Sequence, residues 1–539
     1  MRLPNMKYAD RPVKARHAKF GGLNRSFGAA DGEIRDMENM TSDHFPVLAS
    51  RGKRYLLGKL EAPGGICSWD KLCWVDGTGF YYDGVRKGTV GAGRKYFAAI
   101  NSYVIIMPDK CYYNVATDRF GSLEAAWSGE GLTFGNGMLY DEDAAANMIR
   151  CEGVDWAGIF REGDAVAISG CAEHPENNKT PIIRQIDGDR MYFYEYTFTL
   201  NGDAEYTETG NVTIRRQVPD LKFLCENENR LWGCDDSTIY ASKPGDPFNW
   251  YVYDGLDSDA YFVTPGAAGA FVGGIEYKSF TVCFKEDRIY KIYGSVPTSF
   301  KAVDSASIGL EKGSGRSLAV AGEVLFYLSN NGPMAYTGGI PQTIGDVFGT
   351  EHFRNAVGGS DGLKYYVSMQ GKDDQWGLYV YDTRLGLWHK EDDLHVTGFT
   401  RCEGNLYALT ETGEIWILGD AKNVPESAAA EEKVEWMVEF ADFTEGEANK
   451  KEIGRLQIRL GLEWGAKVNV LIQYDSDGVW WPVRFEGEAT QKRSIVIPVV
   501  PRRCDHYRLK LTGSGSVQIY GITREYTVST ALKSTYGRN

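Results

Sequence analysis

The side chains that carry most protein chemistry are few and scattered in this sequence. Its seven histidines form neither an HExxH motif nor another i, i+4 metal pair. The sequence contains no GxSxG nucleophile elbow and no GxxxxGK[ST] phosphate loop. The ten cysteines lack CxxC spacing, and the closest two are Cys67 and Cys73. This pattern predicts free, mostly buried thiols rather than a zinc site or a disulfide framework.

Three short stretches resemble ligand-binding loops without completing one. "YDSDGVW" (Tyr474–Trp480) has the first half of a calcium loop but lacks the later ligands, so it predicts a hairpin turn. "GLDSDA" (Gly255–Ala260) predicts an acidic surface loop, and "KGSGRS" (Lys312–Ser317) predicts a flexible turn. A carboxylate pair for glycoside hydrolysis is defined in space, so 73 acidic residues single out none. We therefore predict no catalytic, cofactor-binding or metal-binding residues and no enzymatic activity.

Two clusters could bind a partner. In "PRRCDHY" (Pro501–Tyr507), Arg502 and Arg503 could pair with a phosphate or with a partner's carboxylate. The interpretation we favour has them fix the entry to a strand by bonding Asp505 or backbone carbonyls.

The adjacent tryptophans Trp480 and Trp481 could stack on a sugar or a base. More commonly, such a pair straddles a strand, with one ring in the core and the other at an interface.

These residues must be positioned by a repeated unit of strand, turn and strand. "NRLWGCDDSTIYASKPGDPFNW" (Asn229–Trp250) alternates polar and apolar residues around a turn and ends in a Gly-Asp-Pro corner, where prolines interrupt strand pairing. Related units occur at 55–90, 95–124, 273–294, 317–338, 362–392 and 396–420. Serial units of about 30–45 residues without intervening helices predict a β-propeller of six or seven blades. The alternative is a sandwich with chance hairpins. Trp232 and Trp250 are predicted to be packing residues.

Two segments interrupt the repeat and divide the chain into domains. We predict a small inserted β domain at 125–217 and a C-terminal β-sandwich at 432–528. The stretch Tyr140–Cys151 is the best short helix candidate. The remaining parts are an N-terminal arm with first strands (1–54), propeller blades (55–124 and 218–420), a linker (421–431) and a tail (529–539).

Composition supports an all-β protein with a water-facing surface. The chain has 539 residues, including 32 Tyr and 63 Gly, a balance that favours strands joined by tight turns. Its formal net charge of −14 argues against tight wrapping by nucleic acid. The basic N-terminal stretch lacks the apolar segment that is typical of a signal peptide. The sequence also contains no run of about 18 apolar residues, so no membrane anchor is predicted. Synthesis in the cytoplasm is therefore expected.

Three stretches resemble the virion proteins of tailed bacteriophages. They are "FGGLNRSFGAADGEIRDMENMTSDHFPVLASRGKR" (Phe20–Arg54), the blade motif Asn229–Trp250 with its Gly-Asp-Pro-x-Asn-Trp ending, and "PRRCDHYRLKLTGSG" (Pro501–Gly515). The best-understood members of this group are the tail nozzle or hub proteins of short-tailed phages, which join a propeller to extra β domains. The resemblance implies a non-enzymatic ring, a hexamer, below the portal and adaptor in the virion tail.

That resemblance also implies partners and leaves two rivals. The partners would be further copies of the chain, the portal-adaptor or other tail proteins, and double-stranded DNA passing without sequence-specific binding. An acidic chain suits such a conduit, because Lys and Arg side chains that neutralise the DNA phosphates would hold the DNA in place. The first rival is a tail or neck-associated propeller adhesin that binds host glycan, with Trp480 and Trp481 as its platform. The second is a propeller glycosidase or lyase.

Overall fold

The protein is built almost entirely from short antiparallel strands. The computed structural model describes residues 12–194, 197–487 and 493–528. Those ranges contain no α-helix and four three-residue 3-10 turns, which are Trp156–Gly158, Pro175–Asn177, Asp346–Phe348 and Lys372–Asp374. The chain divides into two compact units. Unit 1 comprises Met1–Leu60 and Glu311–Asn539, and unit 2 comprises Glu61–Leu310.

Five strands precede unit 2, and all except β3, which pairs with β4, pair with strands from the C-terminal part of the chain. They are β1 (Val13–His17), β2 (Ile34–Glu38), β3 (Met40–Thr41), β4 (Leu48–Ser50) and β5 (Tyr55–Lys59).

Unit 2 contains four four-stranded antiparallel sheets, in each of which the strands follow one another in sequence order. Blade one consists of β6 (Pro63–Trp69), β7 (Lys71–Asp76), β8 (Gly79–Tyr82) and β9 (Val85–Thr89), and blade two of β10 (Tyr96–Ile100), β11 (Tyr103–Met107), β12 (Cys111–Asn114) and β13 (Arg119–Ser122). The turn between β8 and β9 is Asp83-Gly84, and both residues have positive φ, as a tight hairpin turn requires.

The chain between blades two and three forms two further sheets around a core of its own. Its strands are β14 (Ala125–Gly129), β15 (Thr133–Asp141), β16 (Ala144–Arg150), β17 (Ala167–Ser169), β18 (Ile183–Asp187), β19 (Arg190–Phe193), β20 (Glu205–Thr207) and β21 (Val212–Arg216). One sheet has the order β14-β21-β17 and the other β18-β19-β16-β15-β20. This is the segment for which the sequence predicts an inserted β domain.

The predicted helix at Tyr140–Cys151 is wrong. Asp141 ends β15, and β16 begins at Ala144 after a tight turn. The alanines favour a helix locally, but β16 lies between β15 and β19 and pairs with both. Met148 and Ile149 on β16 are fully buried, so sheet pairing and burial outweigh the local propensity.

Blades three and four complete unit 2. Blade three consists of β22 (Phe223–Asn227), β23 (Arg230–Cys234), β24 (Ile239–Ala241) and β25 (Tyr261–Val263), and blade four of β26 (Gly273–Tyr277), β27 (Phe280–Phe284), β28 (Arg288–Tyr293) and β29 (Lys301–Ala306).

Unit 1 contains three more blade sheets. Blade five has β30 (Ala319–Ala321), β31 (Val324–Ser329), β32 (Gly332–Tyr336) and β33 (Gln342–Thr343). Blade six has β34 (Arg354–Ser360), β35 (Lys364–Gln370), β36 (Trp376–Asp382) and β37 (Leu387–Lys390). Blade seven has β38 (Val396–Cys402), β39 (Asn405–Thr410) and β40 (Glu414–Leu418). Blade seven takes its fourth strand from β5, and the predicted linker adds β41 (Ala429–Ala430) beyond it.

A β-sandwich forms the rest of unit 1. Its C-terminal strands are β42 (Glu435–Phe440), β43 (Lys451–Leu462), β44 (Lys467–Tyr474), β45 (Trp481–Gly487), β46 (Arg493–Pro498), β47 (Arg503–Cys504), β48 (Tyr507–Ser514) and β49 (Val517–Val528). One sheet has the order β2-β42-β48-β44-β45, and the other contains β1, β3, β4, β43, β46, β47 and β49. Apolar residues from both sheets share one core, which includes Val438, Ile458, Leu511 and Ile519.

The N-terminal strands are therefore part of the sandwich, although the predicted sandwich covered only 432–528. The prediction separated 1–54 as an arm, but β1 and β4 pair with β49, and β2 pairs with β42. These pairings bury Ile34 and Met37 in the sandwich core. The predicted tail at 529–539 lies outside the described residues.

The fold class is the predicted one. Six four-stranded sheets in sequence order, and a seventh blade sheet that takes in β5 and β41, are the blade pattern of a β-propeller, and they accompany an inserted β domain and a C-terminal β-sandwich. The ten cysteines are free thiols, seven of them buried, as their spacing predicted. Among the described residues, no helix has the length and apolar character needed to cross a membrane.

Candidate interaction sites

The Gly-Asp-Pro corner after β24 folds back onto the beginning of its own hairpin. Gly245 has φ of +70° and donates its N–H to the Asn229 carbonyl at 2.6 Å. A Cβ at Gly245 would also lie 3.2 Å from the Asn229 amide, so glycine is required there for both conformation and space. The Trp250 indole N–H donates to the Pro247 carbonyl at 2.9 Å, which fixes the end of the corner.

Asn249 in this corner binds the inserted domain. Its Oδ1 accepts a hydrogen bond from the Ala165 backbone N–H at 3.0 Å. Its Nδ2 donates to Asp164 at 3.2 Å and to Asp246 at 2.6 Å. Asn249 is 2% exposed, so these bonds are shielded from water and fix the position of the inserted domain against blade three.

A buried ion pair lies beside the asparagine. The Asp164 carboxylate accepts hydrogen bonds from the guanidinium groups of Arg216 and Arg161, the latter at 3.0 Å. Arg161 also lies over the Phe248 ring, 3.6 Å from its centroid, and bridges to Asp246 at 3.6 Å. No sequence pattern predicts this contact, because Asp164 and Asn249 are close in space and distant in sequence.

Trp232 and Trp250 are packing residues, as predicted. They are 2% and 1% exposed. Trp250 belongs to a cluster with Ile100 of blade two and Leu231 of blade three. Trp232 packs edge-on against Phe300 with a ring separation of 5.1 Å.

Arg502 binds a different partner from the one predicted. Its guanidinium lies 3.5 Å from the Asp477 carboxylate and 5.1 Å from the Tyr474 ring centroid. The predicted partner Asp505 instead pairs with His506 at 3.2 Å. The turn after Tyr474 brings Asp477 to the arginine, a proximity that the sequence spacing does not reveal. Arg503 is exposed on β47.

The predicted hairpin turn at Tyr474–Trp480 is confirmed. It connects β44 to β45, and both Asp475 and Ser476 have positive φ. Asp475 Oδ1 accepts the backbone N–H of Asp505 at 2.7 Å, so this carboxylate joins the turn to the segment between β47 and β48. Within the described ranges, no three His, Cys, Asp or Glu side chains gather as metal ligands would.

The predicted flexible turn at Lys312–Ser317 is wrong in character. Ser314 and Ser317 have no exposed surface. Ser314 Oγ donates to Glu311 at 2.5 Å and accepts the Ala356 N–H at 2.8 Å. Ser317 Oγ accepts the Leu328 N–H at 2.9 Å. These bonds satisfy the backbone around blades five and six and fix the turn.

The Gly255–Ala260 loop is exposed from Gly255 to Ser258, as a surface loop predicts, and is held from inside by buried Asp259. Asp259 is 2% exposed, and its Oδ2 accepts the N–H groups of Gly255 and Leu256. Buried Arg230 donates to the carbonyls of Asp257 and Asp259. Asp257 is therefore exposed, whereas buried Asp259 organises the loop.

The two adjacent tryptophans have separate environments. Lys510 Nζ lies 4.4 Å from the Trp480 ring centroid. Trp481 is 49% exposed and borders a groove of about 380 Å³. The described geometry therefore offers one open indole surface instead of a two-ring platform.

A buried histidine in blade six gives unit 1 a pH dependence. His389 on β37 is 3% exposed, and burial, reinforced by the charge of Lys364, lowers its pKa to about 4, against opposing effects of Asp382 and Asp43. The unfolded chain binds this proton near pH 6.5, so stability is complete above that pH and falls as the pH drops towards 4. We expect a loss of about 2 kcal/mol between pH 7 and pH 5.

Urea unfolding followed at the two pH values measures this effect. His389→Gln cannot gain the proton, so its unfolding free energy should change less over the same interval. Burial also lowers the pKa of His17, so His17→Gln is the comparison variant in the same measurement. An equal pH response in wild type and His389→Gln would contradict the assignment.

Comparison with known proteins identifies no family. No family model matches the sequence, and no curated protein matches it. Similar solved structures include BamB from Moraxella catarrhalis, with 10% identity, a TM-score of 0.31 and coverage of 77% of this chain and 99% of that one. Raptor from Chaetomium thermophilum gives 10% identity and a TM-score of 0.31, covering 70% of this chain but only 29% of that one. A glycoside hydrolase gives 9% identity and a TM-score of 0.18, covering 80% and 96%. At such TM-scores these similarities show neither a family nor a function for this chain.

Proposed function

We propose that the protein is a structural component of a tailed-bacteriophage virion, a nozzle- or hub-like ring in the tail that forms part of the DNA exit conduit. One observation carries the proposal. The Phe20–Arg54 and Pro501–Gly515 stretches, which resemble this class, contribute β2 and β48 to the same five-stranded sheet. Stretches that resemble one family and also fold together support a shared ancestral domain better than isolated motifs do.

In this proposal the protein acts by geometry and assembly rather than by catalysis. Its partners are other copies of itself in a hexamer, the portal-adaptor or other tail proteins, and double-stranded DNA that passes without sequence-specific binding. A net charge of −14 supports this role because it disfavours retention of a polyanion. The protein would be made in the host cytoplasm and become part of the virion tail.

The inserted domain and the sandwich are the proposed contact surfaces between copies. A β-propeller leaves only short, protected strand edges and therefore offers little edge for association. Deleting 432–539 is unsuitable as a test of this role, because β1, β2 and β4 would lose their sheet partners.

Electron microscopy of the purified full-length protein tests the proposal. We expect closed rings with an axial channel, and interfaces between neighbours that exceed about 2,000 Å², as in obligate assemblies. Mass spectrometry of purified virions should detect the intact chain. A protein that stays monomeric at all concentrations and is missing from particles would exclude the virion role. Turnover of a polysaccharide would favour the glycosidase alternative instead.

A further inference from the structure

Two cysteine side chains meet between blades three and four. Cys234 is the last residue of β23 in blade three, and Cys283 lies in β27 of blade four. Their sulfur atoms are 3.6 Å apart, although the residues are 49 positions apart in the sequence. Cys234 is 0% exposed and Cys283 is 1% exposed. The fold therefore brings two shielded thiols into direct contact across a blade interface.

The packing around this contact holds the two thiols together. Both cysteines belong to one buried cluster that also contains Ile239 of blade three and Tyr290 of blade four. A close-packed core leaves its side chains few alternative positions. A disulfide has an S–S distance of about 2.05 Å, so the two sulfur atoms need to approach by about 1.5 Å. Each sulfur then moves by less than about 1 Å, which is comparable with thermal displacements in a folded protein.

A third thiol on the same interface is placed less favourably. Cys225 on β22 lies opposite Trp232, and Phe223 lies opposite Cys234. Cys225 is therefore the diagonal neighbour of Cys234 on the same sheet face, where Cα atoms are about 7–8 Å apart. Disulfides rarely join residues whose Cα atoms are more than about 7 Å apart. The strand register therefore favours a link from Cys234 to Cys283 over a link to Cys225.

Burial keeps these thiols unreactive while the two blades stay packed. Burial and the neighbouring Cys283 thiol raise the pKa of Cys234 well above its ordinary value. The thiolate is the nucleophile in disulfide exchange, so a raised pKa slows the reaction. Exchange therefore requires brief local openings between blades three and four. A reducing compartment keeps both thiols free, whereas an oxidising one allows a link to form during such an opening.

We propose that Cys234 and Cys283 form a disulfide between blades three and four when the folded protein meets a small oxidising disulfide, RSSR. One cysteine thiolate attacks RSSR, which breaks its S–S bond, releases one RSH and leaves a mixed disulfide on the protein. The other cysteine then displaces the remaining RS group and closes the protein disulfide. The two cysteine protons leave with two RSH molecules, so RSSR is reduced and the cysteines are oxidised. This proposal is independent of the virion role.

The link would stabilise the packing of two successive blades. It closes a loop that contains β24, β25 and β26, together with the loops between them. Closing a loop of this length restricts the unfolded chain far more than the folded one. We therefore expect oxidation to raise the melting temperature of unit 2 by at least about 5 °C.

Controlled oxidation of the purified full-length protein tests the proposal. The reduced protein is incubated with oxidised glutathione at mildly alkaline pH, remaining thiols are blocked with iodoacetamide, and peptides are analysed by mass spectrometry without reduction. We expect a peptide that contains Cys234 linked to one that contains Cys283, and a rise in melting temperature that dithiothreitol reverses. Glutathione attached to either cysteine without a link between them, or both cysteines still reduced, would overturn the proposal.

Matched variants identify the pair responsible for the stabilisation. Cys283→Ala should abolish both the linked peptide and the rise in melting temperature, with each variant compared to its own reduced form. Cys67→Ser with Cys73→Ser removes the two cysteines that lie directly opposite each other in blade one, and should keep both effects. The peptide map of the unaltered chain decides the matter if Cys283→Ala does not fold. A link through Cys225, or between Cys67 and Cys73, while Cys234 stays reduced would contradict the assignment.

Discussion

Trp232→Ala should lower the free energy of unfolding of unit 2 by about 3–5 kcal/mol. The indole is 2% exposed, packs against Phe300 and Tyr261, and donates to the Asn227 carbonyl at 3.3 Å. Its removal leaves a cavity between blades three and four and deletes the hydrogen bond to the Asn227 carbonyl. Thermal and urea unfolding measure the change.

Trp464 is the matched control, since it is 74% exposed. Trp464→Ala should change stability by less than about 0.5 kcal/mol. If Trp232→Ala left the melting temperature unchanged and abolished binding of a ligand, Trp232 would be a contact residue instead of a packing residue.

Arg216→Met should cost about 3 kcal/mol, near the lower end of the range for breaking a buried ion pair. The change leaves the Asp164 carboxylate fully buried without its closest cation, although Arg161 and Asn249 still donate to it. Hydrogen exchange should increase first in the inserted domain, because both side chains of this pair belong to it and Asp164 also accepts the Asn249 hydrogen bond from the corner of blade three.

The double variant Arg216→Met/Asp164→Leu tests the reason for that loss. Replacing both charges with apolar groups removes the unpaired carboxylate, so much of the lost stability should return. Losses that simply add in the double variant would show that the two side chains act independently.

The sequence predicted the features whose cause is local. Each blade hairpin has alternating apolar residues and a turn residue suited to positive φ, as at Asp83-Gly84. Burial of Trp232 follows from the same alternation, whereas Trp250 is buried at the end of the Gly-Asp-Pro corner, where its indole N–H donates to the Pro247 carbonyl. The helix predicted at Tyr140–Cys151 failed because its alanines carry a weak local preference that two neighbouring strands override.

Features that depend on distant pairing gave no local signal. β5 resembles any short strand, and nothing in its residues predicts that it completes blade seven. In the sequence Asn249 resembles a turn residue, and only the folded structure shows that its side chain donates to Asp164. The sequence pattern predicts that a strand exists, whereas the identity of its partner is decided by the complete chain.

The pairing of β4 with β49 imposes an order on synthesis. Leu48 lies opposite Ile519, so the first strands of the sandwich emerge long before their partners. At about 5–20 residues per second, the wait lasts roughly 25–95 seconds. During that time β1, β2 and β4 present unpaired edges, which chaperones can hold. A chain that terminates early never covers those edges. Closing the sandwich therefore distinguishes chains synthesised through β49 from those truncated before it.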